Sequence, residues 1–266
     1  MSGSAYPAIL AEERRASTRH ATLAAGVIAV ALLALWIAGF FDAQRFVEGG
    51  PALAQLASEM VPPNFGRWQA WVRPLIDTLA MAIAGTAVAV VLSLPLAFLA
   101  ARNTTPHWLV YHVARSLLAL LRSIPEIILG VLFVAAVGFG ALPGVLALGL
   151  HSVGMVGKFY AETIEHVDER PLEAARAAGA TRLQVVLHAV LPQVLPQLAD
   201  ITIYRTEYHF RASAVLGIVG AGGIGFELMA ALRLIRYDEV AAILLTILAC
   251  VVLVDAVGAR LRVLLR

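Results

Sequence analysis

The chain has 266 residues, 60% of them hydrophobic and only 14% charged, against roughly 25% charged in an ordinary soluble domain. So few charges leave too little polar surface to cover a water-soluble fold, and the relevant count is of membrane spans rather than globular cores. A net charge of +2 without any Lys/Arg-rich run argues against a nucleic-acid partner, and a single cysteine, Cys250, excludes an intrachain disulfide framework.

Crossing the hydrocarbon as a helix takes about 20 apolar residues, because every backbone N–H and C=O must be paired within the segment. The first such stretch, Ala21 to Phe41, is uncharged and follows Arg14, Arg15 and Arg19. Its apolar run exceeds the roughly 7 to 15 residues of a signal-peptide core, which predicts a retained anchor. An outside loop from Asp42 to Arg73 follows, with Trp68 and Trp71 expected as interfacial anchors. Further spans are expected over Leu75 to Ala101, Ser116 to Phe139, Leu142 to Tyr160, Leu183 to Gly217 and Val240 to Ala259. The expectation is an all-α, polytopic bundle of about six spans, with residues 1–74 holding the tail, first span and external loop, and residues 75–266 the main transmembrane domain. Basic residues including Arg102, Arg170, Arg176 and Arg182 collect on alternate connections, which places both termini in the cytoplasm.

Between the fourth and fifth spans lies a mixed-charge segment, Glu162 to Gln184, that belongs in water. Pro171 suits the first helical position, with Asp168 and Glu169 at the positive end of the dipole. The run from Pro171 to Ala178 favours helix until Gly179, a left-handed stop, and Thr181 with Gln184 forms a capping box for the next helix. Glu173-Ala174-Ala175, Gly179 and Leu191-Pro192 resemble the "EAA" loop of permease subunits of ATP-binding-cassette importers. That resemblance implies a coupling helix, here Glu173, Ala174, Ala175, Arg176 and Gly179, docking on a separate ATP-binding subunit. Ala189 departs from the usual branched aliphatic.

Gly220-Ala-Gly222-Gly-Ile-Gly225 matches the dinucleotide fingerprint G-x-G-x-x-G. The fingerprint needs a strand before it, a helix after it and an acidic residue about 20 positions on, and Asp238 and Glu239 arrive too early. Gly220, Gly222, Gly223 and Gly225 are read instead as an external turn where helix backbones approach closely. No G-x-x-x-x-G-K-[ST] loop occurs, so no cofactor is expected in this chain, and ATP and magnesium are expected on a partner.

Ionisable residues within spans cost on the order of 3 kcal/mol each and are functional suspects. Tyr204, Glu207, Tyr208 and Arg211 are predicted to share one helical face, with Glu207 and Arg211 placed to pair; Arg205 and His209 form a second set. Arg122 and Glu126 have the same spacing around Pro125, an expected kink. Arg122 and Arg211 suit a pore-facing role toward an oxyanion, while Glu126 is balanced between path and structural pairing. Lys158 is expected to snorkel and His151 to bond between helices. No residue set has metal or catalytic spacing, so the chain is read as a transporter subunit and not an enzyme.

The resemblance extends over most of the chain after residue 60. Pro62-Pro-Asn-Phe65, Leu121-Arg-Ser-Ile-Pro-Glu126, Gly157-Lys158, Tyr204-Arg-Thr-Glu207, Arg211 and Val215 to Gly225 together look like the phosphonate-importer permease, a type I importer fold. This implies a homodimeric pore, two cytoplasmic ATP-binding subunits, a periplasmic or lipid-anchored binding protein and residence in the bacterial inner membrane. The cargo implied is phosphonate or a related oxyanion such as phosphate or phosphite, moved by alternating access. His209 stands where the family usually has Asn, and Gly258 where a small hydroxyl residue is expected. The alternative is a self-contained channel or ion-coupled carrier with Glu207 and Arg211 in the path, which would not copurify with an ATPase.

Overall fold

A computed structural model describes residues 5–265. Among them all regular structure is helical. Among the described residues five helices are long and apolar enough to cross a membrane, or six spans if the bent pair Trp108–Ser123 and Glu126–Val137 counts as one. The chain forms two compact units, residues 1–59 and 60–266.

The first unit holds α1 (Ala5–Ile37) and α2 (Ala43–Glu59), joined by a turn at Gly39 with φ +75°. The division falls before the expected 74/75 position. The physical reason is Trp71, expected at the interface but buried among Ile224, Val240 and Ile243, and Asn64, bonded to Asp238 through main chain and side chain at 3.0 Å. Trp68, by contrast, is exposed.

In the second unit α3 (Trp68–Ala100) packs along α6 (Ala141–Glu165), which also touches α4 (Trp108–Ser123), α5 (Glu126–Val137) and α9 (Leu191–Leu216). Glycines on α6 make this central place possible. A methyl at Gly154 would sit 2.6 Å from both the Leu118 carbonyl oxygen and the Arg122 amide nitrogen of α4, so only glycine allows that approach.

The expected span from Ser116 to Phe139 is two helices, α4 and α5, and the kink expected at Pro125 is a bend of 81° at Ile124-Pro125. Proline supplies no amide for the ladder and disfavours helical geometry in the residue before it. α7 (Glu169–Ala177) and α8 (Arg182–Val185) lead through a π turn, Val186–Val190, into α9. A second π turn, Gly217–Ala221, separates α9 from α10 (Ile224–Arg233), and α11 (Tyr237–Leu264) closes the unit against α9 and α10.

Candidate functional site

The water-facing segment around α7 is built by local rules. Asp168 caps it, its Oδ1 accepting from the Arg170 amide at 3.0 Å, and the helix begins at Glu169, so Pro171 occupies the third helical position and not the first. Gly179 has φ +83°, and the Thr181–Gln184 capping box is present in both directions. Leu172 is buried against the unit's core, whereas Glu173, Ala174 and Arg176 are exposed and Ala175 is half-buried. Burying one leucine is worth roughly 1.5–3 kcal/mol, enough to seat the helix while its charged side stays free for a partner. Nearby, Arg115 pairs with Glu165 at 2.9 Å and the Arg102 amide donates to the same carboxylate, fixing the α3–α4 turn to the end of α6. The Arg102 guanidinium donates to the Tyr111 hydroxyl at 3.1 Å, a bond that raises its pKa further and keeps it charged.

α9 carries two different polar faces. On the first, Arg211 Nη1 lies 3.2 and 3.3 Å from the two Asp255 oxygens, with both side chains nearly half exposed at 44% and 46%. Further along, Arg262 of α11 reaches Asp200 at 3.3 Å and pairs closely with Glu207. The expected Glu207–Arg211 pair therefore does not form; each finds its partner on α11, because antiparallel packing offers an opposite charge at each level. Gly258 explains the geometry: a Cβ there would collide with the Glu207 carboxylate. Tyr204 is exposed on this helix.

The second face is buried. Thr86 of α3 donates to the Ala82 carbonyl at 2.7 Å, so toward His209 Nδ1, also 2.7 Å away, it acts as acceptor. His209 Nε2 lies 2.5 Å from the Ser152 hydroxyl of α6, and Ser152 accepts from Arg205 Nε at 2.9 Å. With Thr86 as acceptor, His209 carries a proton on Nδ1. Arg205 stacks on Tyr208, 4.2 Å from the ring centre, and the Tyr208 hydroxyl donates to Glu126 Oε1 at 2.7 Å. Two polar atoms along this line, Arg205 Nη2 and Glu126 Oε2, are buried without a hydrogen-bond partner.

These contacts correct two further expectations. Glu207 and Tyr208 do not share a face, since one turns to α11 and the other to α5. Arg122 and Glu126 do not lie on one helix, because the bend intervenes; Arg122 is exposed at the end of α4. His151 does bond between helices, with Nδ1 2.9 Å from the Ile124 carbonyl, and Lys158 lies 3.5 Å from Glu162. The sequence reading missed Thr86, Ser152, Asp200 and Arg262 as partners. Asp255 had a signal in plain sight, an acidic residue inside an expected span.

The glycine cluster forms a compact crossing with no strand before it. Gly220, Gly222 and Gly223 have φ of +105°, +76° and +70°. Gly225 lies against the Ala214 carbonyl so closely that no side chain fits, and the Ile224 amide donates to Thr78 Oγ1 at 2.9 Å.

The profile of the family described as binding-protein-dependent transport system inner membrane component matches residues 93–266. The chain belongs to this family. It is 69% identical, over 89% of its own length and 86% of the relative's, to the phosphite transport system permease protein PtxC of Stutzerimonas stutzeri. It is also 43% identical over 86% of its length to the phosphate-import permease protein PhnE of Mycolicibacterium smegmatis, of which it spans 42%. A solved structure titled "Inward facing conformations of the MetNI methionine ABC transporter" shares the fold, with a TM-score of 0.66 at 24% identity, covering 76% of this chain and 99% of that one. The chain is thus a multi-pass inner-membrane permease subunit of an ATP-driven importer, a non-enzymatic component that works with ATP-binding and substrate-binding partners. The channel or carrier alternative is not favoured.

Proposed function

We propose that this permease admits a small phosphorus oxyanion, phosphite foremost, with phosphate and phosphonate in the same class, and that Arg211 contacts it. The observation that carries the cargo is the extensive identity to a phosphite permease across most of both chains. A geometric feature supports the location. Arg211 and Asp255 are half exposed within spanning helices, and a charge facing hydrocarbon costs on the order of 3 kcal/mol. This face therefore belongs against water or protein, and a second copy of the chain, enclosing a path between the two, provides both. Arg122 and Tyr204 join Arg211 along that path, whereas Glu207 and Glu126 act through their bonds to Arg262 and Tyr208.

In this reading both termini are cytoplasmic, and Glu173, Ala174, Ala175 and Arg176 dock on an ATP-binding subunit that holds ATP and magnesium. Gly179 ends that helix cleanly and lets α8 carry the motion into α9. The crossing at Gly220, Gly222, Gly223 and Gly225 forms the outer gate, where a periplasmic or lipid-anchored binding protein delivers cargo.

The test is uptake into proteoliposomes holding the chain with its ATP-binding subunit and binding protein. Phosphite should accumulate only with ATP, and phosphate or a phosphonate should compete. Accumulation without the ATP-binding subunit, or indifference to every phosphorus oxyanion, overturns the proposal.

A further inference from the structure

We infer that α2 is an interfacial helix, lying along the membrane surface where the first span ends with its apolar face in lipid. Its pattern is amphipathic: Phe46, Val47, Gly50, Leu53, Ala54 and Ala57 recur at helical spacing on one side, and Gln44, Glu48, Gln55 and Glu59 on the other. The polar side is tied by i,i+4 hydrogen bonds, Gln44 to Glu48 at 2.8 Å and Gln55 to Glu59 at 2.9 Å. The apolar side is bare, with Phe46 59%, Val47 72% and Leu53 68% exposed.

Three observations select lipid as the occupant. At 17 residues, or about 26 Å, the helix is too short to cross hydrocarbon of about 30 Å, and it carries charges at both ends. Its centre, Gly49-Gly50-Pro51, has poor helix propensity, and Pro51 takes a donor from the ladder. A short helix of that composition is not stable in water alone and needs a surface for its apolar side. Finally, the surface at hand is the bilayer. α2 starts within a few residues of the end of α1, an apolar span, and the Phe46 ring lies edge-on to Phe40, 5.9 Å between centres, with Phe40 packed likewise on Phe41 at 5.8 Å. Phenylalanine belongs on the lipid-facing side of an interfacial helix, so this packing holds the first turn of α2 beside the end of the span. Arg45, paired with Asp42 at 3.0 Å, keeps the polar rim at that junction.

The inference depends on α1 spanning the membrane and not on the cargo. It is tested with the full-length chain and its partner subunits in bilayers, with Cys250→Ser and a nitroxide placed through either Leu53→Cys or Gln55→Cys. Both positions are exposed, so neither label threatens the fold. At position 53 the label should be relaxed by oxygen and shielded from a water-soluble nickel chelate; at position 55 the order should reverse. Equal access of the chelate to both labels overturns the inference, as does a label at position 53 shielded from both reagents, which would mark a protein partner.

Discussion

The two sides of α9 solve the problem of polarity in a membrane in opposite ways. Toward α3 and α6 the helix presents His209 and Arg205, almost wholly enclosed and bonded to hydroxyls of Thr86 and Ser152. Toward α11 it presents full charges, Asp200, Glu207 and Arg211, matched by Arg262 and Asp255, with exposure growing from Glu207 to Arg211. The enclosed side is glue: its groups fix one packing of three helices. The charged side is the more open at Arg211 and Asp255, and under the proposed function it is the side that meets a cargo anion or a second subunit.

The sharpest way to break this contrast is at Arg262. Glu207 is only 8% exposed, and removing one partner of a buried pair leaves a stranded charge, typically costing 3–5 kcal/mol. Because Arg262 itself is 27% exposed, Arg262→Ala should fall near the lower end, about 3 kcal/mol, read as a lowered unfolding midpoint in detergent. Combining it with Glu207→Gln should recover much of the loss. If the double variant is no more stable than the single one, the pair does not organise this face.

Arg211 should behave differently although it is also ion-paired. Its bridge is half exposed, and such pairs contribute at most about 1 kcal/mol, so Arg211→Ala should assemble and unfold almost normally. Uptake should nevertheless fall roughly tenfold to a hundredfold, the equivalent of one charged hydrogen bond to the cargo of about 1.5–3 kcal/mol. Normal uptake would remove Arg211 from the path. Asp255→Asn separates the two roles, since it frees the guanidinium without deleting it and should preserve transport.

On the enclosed side, His209→Leu leaves the Thr86 and Ser152 hydroxyls facing an apolar group, at a cost of about 1–3 kcal/mol. The loss should appear in the unfolding midpoint, and uptake per folded molecule should stay unchanged. A selective loss of uptake at full stability would place His209 in the path and erase the distinction between the faces.

Local rules made much of this legible from sequence. The α7–α8 connection follows from Asp168, Gly179, Thr181 and Gln184, each acting on backbone within a few residues, and the structure reproduces all four. Span number followed from hydropathy. The partners of the charges did not, because i,i+4 spacing on one helix competes with antiparallel neighbours whose register no local pattern encodes. Thus Glu207 chose Arg262 over Arg211, and Gly258, read as a substitution, proved to be the space that Glu207 occupies. The bend at Pro125 was anticipated as a kink, but its 81° size separates Arg122 from Glu126 altogether.

The gentlest probe of the contrast is Thr86. Its hydroxyl accepts from His209 and donates to its own helix at Ala82, so Thr86→Val removes one interhelical bond with almost no change of shape. Interhelical hydrogen bonds inside membranes average about 0.6 kcal/mol in double-mutant cycles, because the separated helices also find partners. A cycle of Thr86→Val with His209→Leu should give a coupling of that order, measured by unfolding in bilayer-like micelles. A coupling near zero would mean that the imidazole is held by Ser152 alone, leaving α3 attached to α9 by packing and not by this polar line. A coupling well above about 1.5 kcal/mol would instead mark Thr86, Ser152 and Arg205 as one cooperative unit, in which a hydroxyl on α3 governs the set of the helix that carries Arg211.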